Sequence, residues 1–158
     1  MRELTKNCSV ELFETYGVSL EFCPDHLDPA IELAGIIGFT RDHMRGAMIV
    51  GTTSRVLEKS QAATRNSSRR DWSAELANQL LGRVKNRMVA RGVDLQMTTP
   101  LAVRGQALTI DEEGQMEAFD FEGPDGNVRV WLDLELSGEV EVRATEEKIA
   151  SEGDMMLF

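Results

Sequence analysis

The sequence predicts an α+β fold, with long helices packed on a largely antiparallel β-sheet. Two patterns carry that expectation. Residues 69–91 keep a helical period with start and stop signals at their ends. Most of residues 93–136 instead alternates apolar and polar side chains between glycine-containing turns.

Taken in order, Glu3–Tyr16 reads as an amphipathic helix on Leu4, Cys8, Val10 and Leu12, with Gly17 as its stop. Val18–Phe22 alternates like a half-buried strand, and Pro24 with Asp25–Pro29 punctuates a connection. Ile31–Phe39 and Gly46–Val50 read as strands on either side of the charged turn Thr40–His43. Thr53–Ala63 is a short helix, followed by the polar cluster Thr64–Ser68. Arg69–Arg91 is the clearest helix. Ser68 and Asp71 form a capping-box-like start, and Gly92 supplies the stop. Its acids, Asp71 and Glu75, lie near the N-terminus, while Arg83, Lys85, Arg87 and Arg91 lie near the C-terminus, as the helix dipole favours. Beyond it, Val93–Thr98, Leu101–Ile110, Met116–Phe121 and Val128–Leu136 read as strands, the later ones forming a meander joined by Glu-Gly and Pro-Asp-Gly turns. After a Ser-Gly turn, Val140–Val142 adds a short last strand. Ala144–Phe158 is charged and aperiodic, and is expected to be a mobile tail.

At 158 residues the prior is one domain, spanning 1–158. No apolar run approaches the roughly 18–20 residues of a membrane span, and the first residues lack the apolar core of a signal peptide. Cys8 and Cys23 are too few for a disulfide framework, so reduced thiols in a cytoplasm are expected. The net charge of −10 is uneven: residues 1–110 carry 14 Lys/Arg against 12 Asp/Glu, and residues 111–158 carry 3 against 15. That balance argues against nucleic acid or an anionic membrane as partner.

Familiar catalytic signatures are missing. The chain has no phosphate-binding GxxxxGK[ST] loop, no dinucleotide-binding glycine fingerprint and no HExxH. His26 and His43 stand in turns with no metal-ligand spacing to either cysteine, and no metal site is expected. Cys8 falls on an apolar stripe and Cys23 ends a strand, so both are read as structural.

The long helix offers more. At about 100° per residue from Trp72, the side chains of Leu76, Leu80, Leu81, Val84 and Met88 fill one half of the wheel. Asp71, Glu75, Asn78 and Gly82 form a line on the opposite side. A glycine inside a helix costs about 1 kcal/mol relative to alanine, which makes sense where something must approach the backbone. A solvated face holds such polar residues in any case, so the wheel alone does not mark a site.

The spacing does. Asp71, three residues, Glu75, two residues, Asn78, and then 21 residues before Pro100 resembles the signature of the CheC/CheX/FliY family of chemotaxis phosphatases. Gly82 and the run Pro100–Gly105 are similar to the family's flanks. The resemblance implies an enzyme that hydrolyses the aspartyl phosphate of a CheY-like response-regulator receiver domain. It assigns Asn78 to orient the attacking water and Glu75 to pair with the receiver's lysine. Asp71, Gly82 and Pro100 take supporting roles, Pro100 a structural one. It implies no cofactor of the chain's own, the magnesium ion belonging to the receiver. The only other D-x-x-x-E, Asp28 to Glu32, leads to Gly35 where an asparagine is needed. A single motif resembles the CheX type, which implies a homodimer. The alternative is a non-catalytic adaptor or flagellar-switch-like binding module of the same fold. Receivers of this kind present an acidic pocket, which suits the locally basic stretch Arg65–Arg91.

Overall fold

The computed structural model describes residues 1–64, 68–112 and 114–137. In chain order the elements are α1 (Arg2–Thr15), β1 (Glu21–Cys23), β2 (Leu33–Arg41), β3 (Met44–Thr52), α2 (Ser54–Ala62), α3 (Arg69–Val89), β4 (Gln96–Met97), β5 (Leu101–Arg104), β6 (Glu117–Gly123) and β7 (Gly126–Leu136). The strands form one sheet in the order β1-β6-β7-β3-β2, with β4 and β5 both paired to the outer side of β2. Every pairing is antiparallel. The architecture is α+β, as expected, although among the described helices only α3, at 21 residues, is long.

Alternation along the strands sorts side chains onto two faces. Leu33, Ile37 and Phe39 of β2, Met48 and Val50 of β3 and Val128, Val130 and Leu132 of β7 join the core beneath the helices. Leu12 of α1, Leu57 of α2 and Leu76, Leu80 and Val84 of α3 complete it. The opposite face carries a smaller cluster, Ile31, Ala34, Ile49 and Trp131, partly covered by Leu108, Ile110 and Met116.

α3 lies directly on β2. A β-carbon at Gly35 would sit 2.0 Å from the carbonyl oxygen of Ser73 and 3.0 Å from the β-carbon of Ala77. Only glycine fits there, so the residue that breaks a second copy of the motif is the seat of the helix carrying the first. The helix is tied laterally as well. Arg87 pairs with Glu11 of α1 and holds that carboxyl below its usual range, chiefly through their hydrogen bond. Arg83 donates to Thr15 Oγ1 at 3.0 Å. On the far face, Arg129 grips Asp120 through two nitrogens, at 2.6 and 3.0 Å. Asp120 also accepts from the Leu27 backbone N–H at 3.1 Å, pinning the loop between β1 and β2.

Several expected strands are shorter than their alternation suggests. Val18 and Leu20 are buried in the connection before β1, so their period reflects burial rather than pairing. Val93–Thr98 pairs only over Gln96–Met97. Leu101–Ile110 pairs only to Arg104. Beyond it the chain turns through Ala107, at φ 49°, and the backbone N–H groups of Gly105 and Leu108 bond to Glu32 and Ile31. Leu108 and Ile110 are therefore apolar anchors of a strap across the sheet. The expected meander is a correction too. β6 and β7 form a hairpin, whereas β5 pairs with β2 and β3 occupies the other edge of β7. Thr98 fixes that choice by bonding Gly38 of β2, accepting from its N–H at 2.9 Å and donating its own N–H to the carbonyl at 2.9 Å. Val140–Val142 and Ala144–Phe158 lie outside the described residues.

Replacing Gly35 by alanine sets a methyl group against a backbone carbonyl and is expected to destabilise the fold by about 3 kcal/mol, the upper range for overpacking. Urea unfolding of Gly35→Ala checks this. A loss under about 0.5 kcal/mol, typical of a surface change, would mean that α3 is not seated on β2 at this point.

Candidate functional site on the outer face of α3

The N-terminal half of α3 is held from three sides. At its start, Ser68 Oγ accepts from the Asp71 backbone N–H at 3.2 Å, satisfying one of the unpaired donors of the first turn. On the inner side, the Trp72 indole N–H donates to Ser60 Oγ of α2 at 2.9 Å, and Ser60 in turn donates to the Leu57 carbonyl. The ring of Tyr16, at the end of α1, meets Trp72 edge-on with centroids 4.8 Å apart. Trp72, Leu76, Leu80, Leu81, Val84 and Met88 are all buried, as the wheel predicts, and Ser73 and Ala77 join them against Gly35.

The opposite face is accessible. Asp71 is exposed, and Glu75, Asn78 and Gly82 are half-buried. The Asn78 carboxamide donates through Nδ2 to Glu75 Oε2 at 3.3 Å. Asp71 stands one turn before Glu75 and Gly82 one turn after Asn78. A β-carbon at Gly82 would meet nothing within 4 Å, so no group of this chain requires glycine there. Pro100 lies apart from this line, half-buried in the break between β4 and β5 where pairing to β2 lapses. Its missing N–H suits a position outside the ladder.

Two residues of the site escape sequence reasoning. Gln79 Nε2 donates to Glu75 Oε1 at 2.8 Å, and the Tyr16 hydroxyl donates to Gln79 Oε1 at 2.6 Å. The four-residue spacing from Glu75 to Gln79 is a helical signal for the first contact. Nothing in the sequence signals Tyr16, which reaches Gln79 across 63 positions of chain.

The helix's basic charge is largely engaged within the molecule. Arg69 pairs with Glu58, Lys85 with Asp94 at 3.2 Å, and Arg87 with Glu11. Cys8 is fully buried, and burial pushes its thiol above the ordinary range, which suits a packing residue. Cys23 is half-buried in β1. His26 is mostly exposed, its Nδ1 3.7 Å from Asp120 Oδ2. Among the described residues no group of three or more His, Cys, Asp or Glu side chains is arranged to hold a metal ion, and no helix is long and apolar enough to cross a membrane.

Glu75 and Asn78 stand side by side on the accessible face of α3, a carboxylate beside a carboxamide. They suit insertion into a partner's cleft. Glu75 offers a negative charge to a cation, and Asn78 offers both a donor and an acceptor to a water molecule.

No curated protein matches the chain by sequence. Among solved structures, the chemotaxis protein CheX from Vibrio vulnificus superposes with a TM-score of 0.72 at 20% identity, over 84% of this chain and 95% of that one. A CheX from Desulfovibrio desulfuricans does so with a TM-score of 0.69 at 18% identity, over 84% and 97%. The CheX–CheY–BeF3–Mg2+ complex from Borrelia burgdorferi contains a similar chain, with a TM-score of 0.60 at 12% identity, over 84% and 96%. These likenesses establish a shared fold. The family model for the chemotaxis phosphatase CheX matches residues 30–122, a stretch from just before β2 into β6 that includes all of α3, and the chain belongs to the CheX family of chemotaxis phosphatases.

Proposed function

We propose that this protein hydrolyses the aspartyl phosphate of a CheY-like receiver domain, with the outer face of α3 docked at the receiver's phosphorylated site. The observation that carries this reading is the pairing of Glu75 with Asn78 on the accessible side of a rigidly seated helix, in a chain of the CheX family. The Borrelia complex, in which CheX is joined to CheY, supports the class of partner.

Asn78 orients the attacking water. Its carboxamide holds that water by donating and accepting hydrogen bonds without changing its own charge. The water oxygen bonds to phosphorus as the bond from phosphorus to the aspartyl oxygen breaks. The receiver regains a free carboxylate, and inorganic phosphate keeps the attacking oxygen and its protons. Phosphoryl transfer depends mainly on positioning and electrostatics, so a carboxamide and a docking carboxylate suffice. Glu75 pairs with the receiver's lysine and sets the register of docking. Asp71 supports it from the preceding turn, and Gly82 keeps the helix surface low where the receiver passes. The chain uses no cofactor of its own; the magnesium ion sits on the receiver. We further propose a homodimer formed through the edge of β5 that no described strand covers, where Leu101 and Val103 are 53% and 40% exposed.

The test follows loss of radiolabelled phosphate from CheY-type receivers of the same genome. Asn78→Ala is expected to lower the rate roughly 100-fold or more while still binding, and Glu75→Ala to weaken binding by roughly 10-fold or more. Unchanged receiver decay with wild-type protein would remove the enzyme reading, and binding without turnover would indicate an adaptor. Gly82→Ala is expected to gain about 0.8 kcal/mol of stability from helix propensity, with weaker receiver affinity; a stabilised variant with unaltered affinity would dismiss a close approach there. For the dimer, light scattering should give twice the chain mass, falling to one chain mass in Val103→Lys. A monomeric wild type refutes it.

A further inference from the structure

Beyond the two motif residues, the structure assigns a positioning role to Gln79, held in orientation by Tyr16: it keeps the Glu75 carboxylate aimed at the receiver's lysine when docking draws Asn78 away. This inference rests on the proposed docking of α3.

In the free protein each oxygen of Glu75 holds one amide. Oε2 accepts from Asn78 at 3.3 Å and Oε1 from Gln79 at 2.8 Å. The two amides have different futures in the proposed reaction. Asn78 must turn its carboxamide to the attacking water, which breaks the longer bond and leaves Oε2 for the lysine. Gln79 has no such task and stays. Without it, a half-buried carboxylate with three side-chain torsions would have to be ordered by the partner alone, at an entropic cost.

Gln79 is equipped for this by its own partner. The Tyr16 hydroxyl donates to its Oε1 at 2.6 Å, leaving the NH2 group turned to Glu75. The reverse amide orientation would set an amide oxygen against a carboxylate, two acceptors with no proton between them. Tyr16 is itself fixed by the edge-on contact with Trp72, whose indole N–H is committed to Ser60. A continuous line of side chains therefore runs from α2 through Trp72 and Tyr16 to Gln79 and Glu75. It joins α1, α2 and α3 at the point where the partner docks, and its last bond is to a charged group.

Three variants separate positioning from packing. Gln79→Met keeps the size and loses both hydrogen bonds. Gln79→Glu keeps an acceptor for Tyr16 but loses the donor to Glu75. Tyr16→Phe keeps the ring against Trp72 and loses the hydroxyl. Steady-state hydrolysis of radiolabelled phospho-receiver should show KM raised roughly tenfold in Gln79→Met, with kcat within about twofold of wild type. Gln79→Glu should be at least as impaired, since it sets a second carboxylate beside Glu75. Tyr16→Phe should raise KM roughly threefold, and the double variant Tyr16→Phe/Gln79→Met should be no worse than Gln79→Met alone, because both act along one line. The inference is overturned if both Gln79 variants keep the wild-type KM, or if Gln79→Glu behaves as wild type, which would reduce Gln79 to an anchor for α1. A fall in kcat with KM unchanged and a lowered Tm would also overturn it, as a packing effect. Should the wild-type protein hydrolyse nothing, the phosphatase reading fails, and calorimetric Kd values for the BeF3-activated receiver, expected to rise in the same order, still decide the role of Gln79.

Discussion

The close seat of α3 on Gly35 is the constraint on which the rest depends. A helix backbone carbonyl, that of Ser73, rests where any other residue would place its β-carbon. That contact fixes the height and rotation of the helix on the sheet. It turns Trp72, Leu76, Leu80 and Leu81 into the core and leaves Asp71, Glu75 and Asn78 facing outward. Two neighbouring helices then fix the lateral position, α2 through Ser60 and Trp72, and α1 through Tyr16, Thr15 and Glu11. A candidate site built on Glu75 and Asn78 gains its precision from this support.

The candidate site lies on the accessible face of a helix. Here the candidate groups stand on a helix surface, and the proposed chemistry draws its metal ion, lysine and phosphoryl group from the partner. The family membership is consistent with such a division of labour, in which one protein supplies positioning and the other the reacting bond.

Much of this was readable in the sequence, for identifiable reasons. α3 has a 3.6-residue period, a serine cap and a glycine just past its end, and these local signals place its line of polar residues correctly. The spacing from Asn78 to Pro100 supplied the family. Strand pairing was less accessible, because alternation reports burial rather than partners. Leu108 and Ile110 alternate as a strand would, yet they anchor a strap, and Val18 and Leu20 are buried without pairing. Gly35 looked like a missing asparagine from sequence; only packing shows it as the seat of α3. Tyr16 and Gln79 were hidden for the same reason, since their contact exists only once α1 and α3 lie together.

The most direct measurement of the central claim follows the side-chain amide resonances of Asn78 and Gln79 by NMR while a BeF3-activated CheY-type receiver is added. The account predicts a large shift of the Asn78 signal as it leaves Glu75, with the Gln79 signal retained in its bonded position and the opposite face of the sheet unaffected. A complex that forms while Asn78 stays unmoved, with shifts instead around Trp131 and Leu108, would contradict it.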